Sequence, residues 1–175
     1  MRLILSRMLC AAALVLGASF AAGAVDVWKE VRSSAGGFTA VFPADPKIKT
    51  EPPDLSGGVA NVYLVDLGKT AYEVSYTDYQ PGTFAGRSVE AIFNVARDDL
   101  VKGQPVKLLA DHKITLGDHP GREVVFADQD GYTQVYRFFV VKDRVYAVVA
   151  GGPAGSEKSP EAKRFLESFR LVAGK

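Results

Sequence analysis

Apolar and polar positions alternate over most of this chain and then, twice, change period. Val27 to Arg32 and Phe38 to Phe42 alternate as two short strands around the turn Ser33–Gly37. Four prolines between Pro43 and Gly58 (Pro43, Pro46, Pro52, Pro53) predict a loop there. Val59 to Leu67 and Thr70 to Tyr79 predict a hairpin about Gly68-Lys69, a Gly-first pair suited to a type II′ turn. The period then becomes helical. Val89, Ile92, Phe93, Ala96 and Leu100 fall on one face, with Ser88 as N-cap, Glu90 in the first turn and Lys102-Gly103 at the far end.

Strands resume over Val106 to Leu116, bent around Ala110-Asp111, and turn at Gly117-Asp118 into Arg122 to Ala127. After Asp128–Gly131, Tyr132 to Val141 and Arg144 to Ala150 form a last hairpin about Lys142-Asp143. These two strands are apolar on both faces: Tyr136, Phe138 and Val140 oppose Val135, Phe139 and Val141. Both faces need cover, which predicts central strands with helices above and below. A second helix follows, with Ser159 as cap and Pro160 in its first position. Its face is Ala162, Phe165, Leu166 and Phe169. The fold class expected is α+β: an antiparallel sheet flanked by helices on both faces.

The first 24 residues read as a signal peptide that is removed. Arg2 and Arg7 make a basic head, and Met8 to Phe20 an apolar stretch short of the roughly 20 residues a span needs. Ala22-Gly23-Ala24 is a cleavage site. Residues 25–175 are expected as one α+β domain, exported to the periplasm or the exterior. The one cysteine, Cys10, lies in the leader and lacks the small-residue run of a lipobox, so the mature chain has no thiol chemistry. Lys and Arg number 21 against 20 Asp and Glu, with no basic block, so nucleic-acid binding lacks its usual footprint. No later segment is apolar enough for a transmembrane helix.

Gly37-Phe38-Thr39-Ala40-Val41-Phe42-Pro43 with Pro46, the hairpin Tyr136–Val140 and Arg144–Tyr146, and Phe165-Leu166-Glu167-Ser168-Phe169 together resemble the Mog1/PsbP-like group of exported bacterial proteins. The resemblance implies an α-β-α sandwich and a mostly non-enzymatic, accessory or binding role. It carries over no catalytic motif and no cofactor.

Candidate chemistry is sparse. His112 and His119 flank a turn; facing one another, with Asp111 or Asp118, they would make an exposed zinc or copper site, against the ordinary reading of two surface histidines. Tyr72 and Tyr76 share one strand face, and Tyr132 and Tyr136 another; they suit either a binding surface or the boundary of sheet and helix. Asp128–Gly131 copies part of an EF-hand loop, but Phe126 and Arg137 stand at its first and twelfth positions, which leaves an Asp-Gly turn. Gly151–Ser159 lacks the Lys of a P-loop directly after its last Gly and reads as a flexible connection. No serine lies in G-x-S-x-G or S-x-x-K. The expected function is a non-catalytic envelope protein that binds a partner protein or a small ligand, its oligomeric state open. The alternatives are a hydrolase whose acids meet only in the fold, or a metal binder using the histidines.

Overall fold

The computed structural model describes residues 28–53, 57–102 and 105–172. The signal peptide expected over residues 1–24, with Cys10, and the expected stop at Gly103 lie outside the described residues. In chain order the elements are β1 (Lys29–Ser33), β2 (Phe38–Phe42), β3 (Lys47–Thr50), β4 (Val59–Asp66), β5 (Ala71–Asp78), α1 (Val89–Val101), β6 (Lys107–Leu116), β7 (His119–Ala127), β8 (Tyr132–Val141), β9 (Arg144–Pro153), a 3-10 turn (Ser156–Lys158), α2 (Pro160–Ser168) and β10 (Arg170–Leu171).

Seven strands form one antiparallel sheet in the order β3-β4-β5-β9-β8-β7-β6. The chain leaves β5, crosses one face as α1, re-enters at the far edge as β6 and returns strand by strand until β9 pairs with β5. After β9 it crosses the other face as α2. A second sheet, β1-β2-β10, lies on that side too, since Phe38, Ala40 and Phe42 of β2 join the α2 core.

Parity on β8 and β9 sorts the core as expected. Phe138 packs with Val124, Phe126 and Phe93 of α1, and Tyr136, Val140 and Ala147 join them. Val135, Phe139, Tyr146 and Val148 face the other way, toward Phe165, Leu166 and Phe169. The antiparallel sheet is therefore as anticipated. The helical cover is thinner than anticipated: among the described residues there are only two α-helices, and α2 shares its side with β structure.

Local chemistry explains the elements. Ser88 and Ser159 each accept the backbone N–H three residues on (Ala91 and Ala162), capping α1 and α2. Of the Gly68-Lys69 pair only Gly68 has positive φ, 81°, as a type II′ turn demands. The bend expected near Ala110 is a bulge, with the register shifting between Leu108 and Ala110.

Three expectations need correction. The Pro43–Gly58 stretch contains β3, an edge strand whose four residues are all exposed; it is held by its ladder to β4, so it leaves no apolar signature. Strand β7 begins at His119, directly after the Gly117-Asp118 turn and ahead of the start expected at Arg122. The Gly151–Ser159 connection is largely regular: β9 runs to Pro153 and the 3-10 turn follows, with Glu157 accepting from Thr133 Oγ1 at 2.9 Å. Both edges of the large sheet are blunted against further pairing, β3 by Lys47 and Lys49, β6 by its bulge and Lys113.

Phe165 is fully buried, its ring 5.0 Å from Phe42 and 5.2 Å from Tyr72. Phe165→Ala is expected to lower the unfolding free energy by about 3–5 kcal/mol. Ile48→Ala, at a position 64% exposed, should shift it by less than about 0.5 kcal/mol. Urea denaturation of the two variants checks both.

Candidate functional site

Two turns and a strand end converge beside the large sheet: the β1–β2 turn, the Lys142-Asp143 turn between β8 and β9, and the end of β5. They enclose an open cleft of about 650 Å³ that His119 also lines. Arg144 is its scaffold. Its Nε and Nη2 donate to the two carboxylate oxygens of Asp78 at 2.6 and 2.9 Å, and Nη1 donates to the Ala35 carbonyl at 3.0 Å. The guanidinium lies 4.5 Å above the Tyr76 ring. Tyr146 Oη donates to the Gly36 carbonyl at 2.7 Å. One strand thus ties the turn of the small sheet to the large one.

Burial opposes the charge of Arg144, but hydrogen bonds to Asp78 and Tyr146 outweigh it and raise its pKa further. Its donors are almost all engaged. The available charge is Lys142, which is exposed and makes no ion pair among the described residues. Lys142 is also the one non-glycine with positive φ among the described residues, 57°. Asp143 is occupied: its carbonyl accepts from Tyr79 N at 2.9 Å and its carboxylate from Gly82 N at 3.0 Å. The cleft therefore offers a cation at its rim, and among its described lining residues there is no cysteine and no serine hydrogen-bonded to a base.

The sequence candidates fall elsewhere or apart. His112 pairs with Glu123 and His119 with Leu116. Four rungs of ladder separate the histidines, roughly 14 Å of strand, so they do not face one another. Among the described residues no three His, Cys, Asp or Glu side chains gather as metal ligands. Tyr72 and Tyr76 are each 5% exposed and belong to the core. Tyr132 and Tyr136 line a hollow of about 320 Å³ with Phe126, Val106 and Asp128. Tyr136 Oη donates to Gln134 Oε1 at 2.9 Å; burial, then the charge of Glu73, pushes its pKa up to about 12. Asp128 accepts from the N–H groups of Asp130 and Tyr132, which accounts for the EF-hand-like residues as an Asx turn.

The densest charged cluster is structural. Arg122 grips both oxygens of Asp111 and reaches Glu90 at 3.1 Å and Asn94 at 3.2 Å; Arg97 Nη1 donates to Asp111 at 3.0 Å. This clamps α1 to β6 and β7. Arg137 and Glu123 pair at 2.6 Å on the opposite face. Glu73 is the carboxyl held above its ordinary value: burial raises it, Ser75 partly offsets this, and Glu51 adds to it. It does not line the cleft. Sequence patterning gave no sign of Arg144 or Lys142, because turn residues and a strand end carry no period.

No family model matches the chain, and no curated protein matches it in sequence. Among solved structures it is similar to cyanobacterial PsbP (CyanoP) from Synechocystis, with TM-score 0.59 and 10% identity over 90% of this chain and 99% of that one. A Pseudomonas aeruginosa protein of unknown function matches with TM-score 0.46 and 10% identity, over 78% of this chain and 90% of that one. A Bacteroides thetaiotaomicron protein gives 0.47 and 12% over 83% of this chain and 48% of that one. The fold argument rests on the first of these; the others are too loose to carry one. The chain has the PsbP-like fold that the resemblance implied, and at this identity the likeness is one of fold alone.

The Arg122 and Arg97 hydrogen bonds hold the Asp111 carboxyl below its ordinary value against the effect of burial. A depressed carboxyl stabilises the fold above its unfolded pKa, and that contribution is lost as pH falls through the folded one. Asp111→Asn should cost about 1–3 kcal/mol at pH 7 and remove part of the stability loss below about pH 4. Denaturant titrations of both proteins across pH 2–7 should show the two curves converging at the acid end.

Proposed function

We propose that this chain of PsbP-like fold is an exported, non-catalytic binding protein whose cleft receives an anionic group of a partner protein or small ligand. One observation carries the reading: Lys142, with no ion pair among the described residues, presents its ammonium from a left-handed backbone position at the rim of the cleft of about 650 Å³. That conformation costs a non-glycine residue on the order of 1 kcal/mol, and strained residues cluster at functional sites. The surrounding charges favour binding over catalysis, because Arg144 with Asp78, Arg122 with Asp111 and Arg137 with Glu123 are each committed to joining elements. Export rests on the leader read at residues 1–24.

Native mass spectrometry of the protein taken from its own envelope, set against the denatured spectrum, tests this. The denatured mass should match residues 25–175, and the native mass should exceed it by a discrete increment or a multiple of itself. Lys142→Glu should lose that increment. Lys142→Gly should also lose it while gaining about 1 kcal/mol of stability. An increment that persists unchanged in both variants sinks the cleft as the binding site, and a bare mass in every spectrum sinks the binding reading.

A further inference from the structure

A second groove lies on the α1 side of the sheet. The segment from Tyr79 to Arg87 is folded into successive turns: Thr83 N and Oγ1 both bond the Gln80 carbonyl, Ala85 N bonds Gly82 O, and Arg87 N bonds Phe84 O at 3.0 Å. Its base is pinned through Tyr79 and Gly82 to Asp143. Tyr79 and Phe84 meet edge to face at 5.0 Å. Opposite them, Ile92, Val95, Ala96 and Asp99 line up at i, i+3, i+4 and i+7 along α1, and Val145 closes the space from β9. The result is a preformed cavity of about 380 Å³, within the range of small-ligand pockets.

Its lining is apolar where the walls meet and charged at the rim. Val95 is 54% exposed, a large apolar surface left facing the groove. Arg87 and Asp99 are both exposed rim residues, and neither has an ion pair or a side-chain hydrogen bond among the described residues. A free guanidinium next to an aromatic wall matches a carboxylate attached to an apolar body, which it grips with two parallel bonds. Asp99 lies in the C-terminal half of α1, where the helix dipole adds to its negative charge, so a second carboxylate is repelled from that end.

We infer that this groove binds a small amphipathic monocarboxylate, with Arg87 taking the carboxylate and Tyr79, Phe84, Ile92 and Val95 taking the apolar body. The site shares only the Tyr79 wall with the Lys142 cleft, and neither reading requires the other.

The test is calorimetric titration of the folded protein with octanoate, octanol and octylamine, with amide chemical shifts locating the contacts. Octanoate should bind at least tenfold more tightly than the other two and should shift Phe84, Ile92 and Val95. Arg87→Gln, an exposed change that leaves the core intact, should weaken octanoate by roughly tenfold or more and bring it level with octanol. Val95→Asp should weaken it as well, through the charge placed in the groove. Equal binding of all three compounds, an unchanged affinity in Arg87→Gln, or shifts confined to other surfaces would overturn the inference. So would a preference for octylamine that Asp99→Asn abolishes.

Discussion

Strands β8 and β9 carry large apolar side chains on both faces, so neither face can be left to water, and the rest of the architecture follows from covering them. Phe138 looks toward Phe93 of α1, while Phe139 looks toward Phe169 at the end of α2. Such a hairpin has to sit inside a sheet, flanked here by β5 and β7. The connections obey the same demand. The passage from β5 to β6 spans three intervening strands and lays α1 across one face on the way. The passage from β9 to β10 lays α2 across the other. The cover is economical, one helix on the first side and one helix plus a small sheet on the second. This is why single aromatic residues such as Phe93 and Phe165 close so much of the interior.

Apolar burial holds these layers together without fixing how they are oriented, because it has no direction. Direction comes from two arginines. Arg122 joins β7 to β6 through Asp111 and to α1 through Glu90 and Asn94. Arg144 joins β9 to β5 through Asp78 and to the β1–β2 turn through Ala35. In each case a planar fork meets a carboxylate on both oxygens, a geometry that tolerates little rotation. Arg144 spans 109 positions of sequence in its bond to Ala35, so it positions elements that chain connectivity leaves loose.

Periodic signals were legible in the sequence and aperiodic ones were not. The helix face from Val89 to Leu100, the two-faced hairpin and the serine caps all appeared at their expected places, since each expresses a repeating geometry or a local hydrogen bond. Strand β3 was missed because Lys47-Ile48-Lys49-Thr50 buries nothing, and β10 because two residues make no period. The small sheet went unseen for a related reason: its last strand arrives from the far end of the chain to pair with Thr39 and Phe38. For function the asymmetry is greater. Tyr72 and Tyr76, which suited either a binding surface or the boundary of sheet and helix, lie in the core, while His112 and His119 were separated by a ladder register that no single strand reveals. Arg144 meets Asp78 and Ala35 only through folding, and Lys142 joins their cleft the same way.

Both grooves are built on turns, and they share a wall. Tyr79 lines the Lys142 cleft on one side and the Arg87 groove on the other. Asp143 holds that wall through its carbonyl to Tyr79 and its carboxylate to Gly82, and Asp143 directly follows the strained Lys142. The backbone conformation at Lys142 therefore does two things. It presents a cation at the cleft, and it sets the carbonyl and carboxylate of the next residue against the Tyr79–Arg87 segment. A change that relaxes this turn reaches both cavities through one residue, Asp143. Binding capacity in this fold resides in its turns, and the two-faced sheet supplies the rigidity that makes a turn only two residues long a dependable place to hold it.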